Sequence, residues 1–240
     1  MPRLHSGDLS VYPRDAMELF WHARNWKHYW GSRIEPFLGA TVAEVGAGIG
    51  ANTFRLSQTR RQWTCIEPDA ALAARILALI EHGALGANCT VLVGGLAALP
   101  PNVRFDTVLY VDVLEHIEDD LAELTEAARR LNPKGHLVVL SPAHPWLFSP
   151  FDAANGHVRR YTAASLSALS PPGLEPRQFQ YLDSVGLLAS LANALVLRTA
   201  RPTEAQIRFW DRILVPASRW VDRLTGFRVG KSVLGVWQAA

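Results

Sequence analysis

Cysteine is nearly absent: Cys65 and Cys89 are the only two in 240 residues. Two thiols cannot form the disulfide framework of a small secreted fold, and their scarcity points to a reducing, cytoplasmic setting. Lysine is equally rare, since Lys27, Lys134 and Lys231 are three of 24 basic residues. Those 24 face 22 acidic residues for a net charge of +2, so no concentrated basic face marks a nucleic-acid binder, and nucleic acid is not expected as a partner. The apolar stretch Val185 to Leu197 is interrupted by Ser190 and Asn193 and falls short of the roughly 20 residues a bilayer span needs. Met1 to Asp8 has no apolar signal core, and no internal repeat is visible. What is abundant is core: 49% of residues are hydrophobic, enough for a single α/β domain over 1–240 with an elaboration.

The richest segment is Val42-Ala43-Glu44-Val45-Gly46-Ala47-Gly48-Ile49-Gly50, an apolar strand carrying one acid that runs into glycines at alternate positions and then a helix. Such a turn lets a ligand approach the main chain closely. The dinucleotide fingerprint is G-x-G-x-x-G and seats a pyrophosphate, whereas here the spacing is G-x-G-x-G with Glu44 at its mouth. An acid repels phosphate and attracts cations. S-adenosylmethionine, with an ammonium and a sulfonium and no phosphate, suits that charge where NAD does not. One βα unit later, Gln62 to Glu67 reads as a strand ending in an acid placed to accept from ribose hydroxyls, and Pro68-Asp69 stops it before a helix at 70–81. Strands follow at Thr90 to Val93, Phe105 to Asp112, His136 to Ser141, Arg177 to Leu182 and Ser232 to Trp237, with a helix at 118–131. This alternation predicts a doubly wound, mostly parallel, seven-stranded sheet with helices on both faces.

With the glycine turn, Glu67 and the segment Val113-Leu114-Glu115-His116-Ile117 in this order, the chain resembles the class I S-adenosylmethionine-dependent methyltransferases. It is similar above all to the subgroup containing the ubiquinone-biosynthesis O-methyltransferases, over roughly residues 25–183 and a last strand at 232–238. The resemblance implies the Rossmann-like methyltransferase fold and that cofactor. By position it assigns Glu44, Gly46, Ala47, Gly48 and Gly50 to the methionine moiety, Glu67 and Pro68 to the ribose, and the backbone of Gly95 and Leu96 to the adenine. Asp112, Val113 and Leu114 would close the site, and Tyr29 and Arg33 are candidates for the methionine carboxylate. One departure is Gly95, where the family often has an acid for the adenine amino group.

Acceptor chemistry points to Ser141 to Phe148 and Gly156 to Tyr161, which leave the carboxyl end of the fifth strand where open α/β sheets bind ligands. His144, His157 and His116 are the candidate proton acceptors; Trp146, Phe148, Arg159, Arg160 and Tyr161 are candidate substrate contacts. The arginines have a second reading, as ties from the loop to acids such as Asp152. Glu118, Asp119 and Asp120 fit a helix N-terminus, so no metal is expected. Gly230-Lys231-Ser232 lacks the glycine and the helix of a phosphate loop. The function expected is methyl transfer to a small apolar or aromatic acceptor, O-methylation first, with N- or C-methylation or a membrane-surface methylase of lipid-linked intermediates as alternatives.

Two helical segments flank this frame. Apolar residues at Ala16, Leu19, Phe20, Ala23, Trp26, Trp30, Ile34 and Phe37 predict a helical lid over 14–38, broken near Asn25 or Gly31. An insert at 184–228 reads as an apolar hairpin followed by a helix with the stripe Ile207, Trp210, Leu214, Ala217, Val221 and Leu224, kinked at Pro216. Arg208, Arg212, Arg219 and Arg223 share another face, with Glu204, Asp211 and Asp222 close enough to neutralise them. The insert is therefore expected to cap the acceptor pocket and to form a possible homodimer contact rather than to rest on a membrane.

Overall fold

The structure, a computed structural model, describes residues 14–57, 61–193 and 202–240, with side chains from residue 17 onward. The N-terminal Met1 to Asp8 and the end of the apolar stretch, 194–197, lie outside the described residues. Seven strands form one sheet: β1 (Thr41–Val45), β2 (Gln62–Glu67), β3 (Cys89–Val93), β4 (Phe105–Val111), β5 (Leu131–Pro142), β6 (Leu174–Leu182) and β7 (Ser232–Ala239). Their order is β3-β2-β1-β4-β5-β7-β6, parallel except for β7, which is antiparallel to both neighbours. This is the doubly wound seven-stranded sheet that the alternation of elements predicts.

The strand order reverses between β1 and β4, because the chain winds outward to β3 on one side and to β5 on the other. Helices α3 (Ala51–Leu56) and α4 (Ala70–Glu81) follow β1 and β2, while α5 (Asp120–Arg129) follows β4 on the opposite face. Both faces are thus covered, and the inner strands bury alternating side chains in two cores: Val42, Cys65, Leu109 and Leu140 in one, Ala43, Ile66, Tyr110 and Val139 in the other. Burial of each large aliphatic side chain stabilises the sheet by roughly 1.5–3 kcal/mol. The crevice over the carboxyl ends of β1 and β4 is where such sheets take ligands.

Several boundaries differ from expectation. Strand β5 begins at Leu131, which pairs with Phe105, and then bulges through Asn132–Gly135 before His136 resumes opposite Thr107. Asn132 holds the bulge by donating to Asp106, and Lys134 takes a left-handed φ of 63°. The N-terminal segment breaks at His22-Ala23 into α1 (Arg14–Trp21) and α2 (Arg24–Ile34), whereas Gly31 stays helical and packs against Leu56. The described part of the expected apolar hairpin is a helix, α8 (Ser184–Ala192), while α6 (Pro150–Ala154) and α7 (Ala163–Ala168) lie between β5 and β6.

The rest of the insert is a continuous rod made of α9 (Glu204–Phe209), a five-residue π-turn (Trp210–Leu214) and α10 (Val215–Leu224). A π-turn adds a residue to one turn and shifts the phase of all that follows. The buried positions accordingly run Ile207, Trp210, Asp211, Val215, Ser218 and Asp222, so the predicted stripe rotates away from the core after Trp210. Pro216 lies just after the π-turn, where its missing N–H costs no regular helical bond. Three buried aspartates fasten this rod. Asp211 accepts from the backbone and side chain of Asn25 and from Trp26 N; Asp222 accepts from Tyr29 Oη and from Asp183 and Ser184 N; Asp183 accepts from Trp210 Nε1, Ser218 Oγ and Gly186 N. Each charge is compensated by donors fixed in place, which makes its burial tolerable. The expectation that Asp211 and Asp222 neutralise arginines on a solvated face is therefore corrected: both point inward.

Candidate active site

The glycine turn is built by its neighbours. Gly46, Gly48 and Gly50 all take left-handed φ values, of 67°, 58° and 80°. A Cβ on Gly46 would lie 2.6 Å from Val113, so this residue lets the turn pass against the β4 exit. At Gly48 the nearest atom to an added Cβ is Met17 Sδ at 3.5 Å, which places α1 over the turn. Glu67, at the end of β2, closes the arrangement: Oε2 accepts from Gly48 N at 2.7 Å and Oε1 from Asp69 N at 2.9 Å. Burial pushes its carboxyl upward and these two N–H donors hold it down in part. Pro68 is exposed beside it. Across the crevice, a Cβ on Gly95 would meet nothing within 4 Å, while Leu96 is buried below. Leu114 is buried, Val113 half-buried and Ala47 buried beneath the turn.

Glu44 is buried rather than placed at the mouth of the turn. It is 1% exposed, and Oε2 accepts from Thr53 Oγ1 and Trp63 Nε1 while Oε1 is buried without a partner. Burial raises its carboxyl to about 7. Tyr29 and Arg33 are placed with the insert and β6: Tyr29 donates to Asp222, and Arg33 donates to Gln180 with its guanidinium over the Phe227 ring. The structure does not bring either side chain into contact with the glycine turn.

At the carboxyl ends of β4 and β5, His116 and His157 meet edge to face with ring centroids 4.7 Å apart. His157 Nδ1–H donates to Asp152 Oδ1 at 2.8 Å, and the same carboxylate is forked by Arg160 and capped by Ser149. Burial works against that charge, but His157 and Arg160 hold Asp152 at about 2. His116, whose Nδ1 donates to Gly156 O, is driven down to about 4 by burial and by His157 and is neutral at physiological pH. His144 lies elsewhere, with Nε2 on Gly230 O and its ring stacked on Tyr181. Trp146 and Phe148 are exposed.

Arg159, Arg160 and Tyr161 hold the loop. Arg159 binds Asp120 and Glu118 O, Arg160 forks Asp152, and the buried Tyr161 hydroxyl donates to Asp120. Their polar groups are thus engaged by Asp152 and by the start of α5. Asp119 caps α5 through Ala122 N, in keeping with the helix-start reading of these acids.

Sequence reasoning missed a ring wall and two cations. From His157 the rings run through Phe151, Phe20 and Trp210 to Trp26, with successive centroids 5.7–6.4 Å apart. Lys231 Nζ sits 3.7 Å over the Trp210 ring and 3.4 Å from Asp183. Lys27, held by Phe20 O, is lowered by burial to about 8 against the pull of Asp112 and Asp211. Asp112 is open to solvent and lies within the fields of His157, Lys231 and Lys27. The available signal was lysine scarcity, for two of only three lysines converge here.

One further grouping was not expected. Donor atoms of Glu115, His116 and His157 all lie within 4.8 Å of one another, a separation that suits a divalent cation. Glu115 Oε2 accepts from Ser141 Oγ, whereas Oε1 is buried without a hydrogen-bond partner. The donor set of one carboxylate oxygen and two imidazoles fits zinc-like ions.

Known proteins resemble this chain in part of its sequence and in its fold. A family model described as a methyltransferase domain matches residues 43–139. The chain is 33% identical over 107 residues to a tRNA U34 carboxymethyltransferase of Pseudoalteromonas translucida, covering 44% of the chain and 33% of that protein. It is 31% identical over 110 residues to a ubiquinone biosynthesis O-methyltransferase of Bradyrhizobium diazoefficiens, covering 45% and 42% respectively. The chain thus spans less than half the length of each of these two curated relatives. Among solved structures, geranyl diphosphate C-methyltransferase from Streptomyces coelicolor, in complex with Mg2+, geranyl diphosphate and S-adenosyl-L-homocysteine, superposes with a TM-score of 0.65 at 13% identity, over 93% of this chain and 83% of that one.

Proposed function

We propose that the chain, whose residues 43–139 match a methyltransferase domain and whose described residues share the fold of solved methyltransferases, methylates an oxygen of a small aromatic or apolar acceptor carrying an acidic group, with S-adenosylmethionine as cofactor. The residues fit the cofactor. Glycine φ values open the turn, the room at Gly95 leaves space for a flat base, and Glu67 keeps lone pairs for ribose hydroxyls beyond its two backbone donors. Glu44, Gly46, Ala47, Gly48, Gly50, Glu67, Pro68, Gly95, Leu96, Asp112, Val113 and Leu114 are the proposed cofactor shell, with α1 as its lid through Met17.

The cofactor supplies an already activated methyl group, so the protein's task is to position the acceptor oxygen in line and to take its proton. The observation that carries the oxygen assignment is the His157–Asp152 pair. Asp152 fixes Nδ1–H of His157 and thereby presents Nε2 as the proton acceptor. The wall of Phe151, Phe20 and Trp210 suits a flat apolar acceptor, and Lys231 and Lys27 suit its anionic substituent. Glu115, with its unpartnered Oε1, favours a second reading in which a divalent cation at Glu115, His116 and His157 polarises the acceptor oxygen.

The test is methyl transfer from isotopically labelled S-adenosylmethionine to a panel of phenols, catechols, amines and carbon acids, each with and without a carboxylate. Oxygen-linked label on carboxylated phenols or catechols is the expected result. Label found only on nitrogen or carbon would overturn the assignment to oxygen.

A further inference from the structure

The outward side of the rod 204–224 is apolar to an extent unusual for a face in water. Trp220 is 70% and Leu224 86% exposed, and Phe209 and Ile213 are each more than half exposed. Ile213, Ala217, Trp220 and Leu224 follow one another by four, three and four, so they form a single stripe along α10 and its approach. Leu188 of the adjoining α8 is 66% exposed as well. Large side chains clustered in this way mark a surface that meets something other than water.

What it meets is indicated by the charges beside the stripe. Arg212, Arg219 and Arg223 each come one residue before a member of the stripe, which places them in a row about 100° round the helix. The inward turn of Asp211 and Asp222 leaves this row without counterions: among the described residues no acid forms an ion pair with Arg212, Arg219 or Arg223, and only Arg208 has one, in Glu204. Arg223 lies over the exposed Trp220 ring with its guanidinium carbon 5.8 Å from the centroid. A two-fold contact between copies through this face would gather both arginine rows at one interface without acids to match them. An anionic lipid surface offers what the face lacks, negative headgroups for the arginines and an acyl boundary for tryptophan and leucine.

We propose that the outer face of the 204–224 rod docks on an anionic membrane surface, lying in the interface plane rather than crossing it. No helix among the described residues is long and apolar enough to span a bilayer. The packed side of the same rod carries Trp210 of the ring wall, so docking would hold the acceptor cleft at the lipid boundary. The proposal does not depend on which atom is methylated.

The test is co-flotation of the full chain with phosphatidylglycerol vesicles and, separately, phosphatidylcholine vesicles. Binding is expected to the anionic vesicles, to fall steeply toward about 0.5 M salt, and to weaken roughly 100-fold when Arg212, Arg219 and Arg223 are replaced by glutamine. A Trp220→Ser, Leu224→Ser double variant should also lose flotation while keeping its circular dichroism spectrum, since both side chains are exposed. Failure to float with phosphatidylglycerol vesicles, or flotation unchanged in both variants, would overturn the proposal. So would a vesicle-free dimer, seen by light scattering, that the double variant dissociates, because the face would then be a contact between copies.

Discussion

His157 Nδ1 and Asp152 Oδ1 are 2.8 Å apart, and Asp152 is fully buried beneath the histidine that approaches the ring wall. The pair holds one tautomer of His157 and leaves Nε2 as its proton-accepting nitrogen. If Nε2 takes the acceptor proton, His157→Ala should lower kcat by roughly 10²–10⁴ with cofactor affinity retained. Calorimetric titration with S-adenosyl-homocysteine, run beside the kinetics, separates this from a folding defect. Asp152→Asn should cost stability as well as turnover, because Arg160 and Ser149 depend on the same carboxylate.

Glu67 joins the two halves of the cofactor crevice through Gly48 N and Asp69 N. Glu67→Ala should therefore weaken S-adenosylmethionine binding by about 1.5–3 kcal/mol through lost charged hydrogen bonds. Gly48→Val should abolish binding, since φ of 58° strains a β-branched residue and its side chain enters the space under Met17. Unchanged affinity in both variants, measured by calorimetry, would remove the turn from the site.

Glu44 and His116 oppose one another in their response to pH. Glu44 keeps its proton up to about 7 in the folded chain, against an ordinary value of 4.5, so its contribution to stability falls as pH rises through that interval. His116 stays neutral down to about 4, against 6.5, so its contribution grows as pH rises through nearly the same interval. Glu44→Gln removes the falling contribution, so its melting temperature relative to the native protein should rise by several degrees from about pH 4.5 to about 6.5. Calorimetric melting across that range checks the sign.

The parts of the fold that were legible are those where local pattern and tertiary role coincide. The run from Val42 to Gly50 is a buried strand meeting a turn that side chains would block, and both facts are written in residue type. Glu67 was legible because its position at a strand end is fixed by Pro68. The insert was not, because a helical stripe presumes a constant period and the π-turn at Trp210–Leu214 breaks it. Nor could spacing foretell that Asp211 and Asp222 would serve Asn25, Trp26 and Tyr29, nearly two hundred residues away in the chain. Arg159 and Arg160 show the same limit: a loop arginine looks alike whether it awaits a ligand or holds an acid, and here both hold acids.

The grouping of Glu115, His116 and His157 makes a separate prediction. Zinc or another divalent cation should raise the melting temperature, and Glu115→Gln should abolish the increase. If the ion also serves turnover, a chelator should lower kcat and added metal should restore it. A melting temperature indifferent to divalent ions would leave the three as a purely polar cluster and His157 as the base.

The π-turn also governs how this rod tolerates change in length. Removing one residue between Trp210 and Leu214 would let the turn close to an α-helix, and because the lost residue and the lost widening cancel, everything beyond would keep its face. Ser218 and Asp222 would stay on the side that meets their partners, whereas closing the turn without a deletion would rotate them away by about 100° and turn Ala217 and Val221 inward. A one-residue deletion at the turn would thus be absorbed, whereas one within α10, where no widened turn compensates it, would act as a core mutation even at an exposed position.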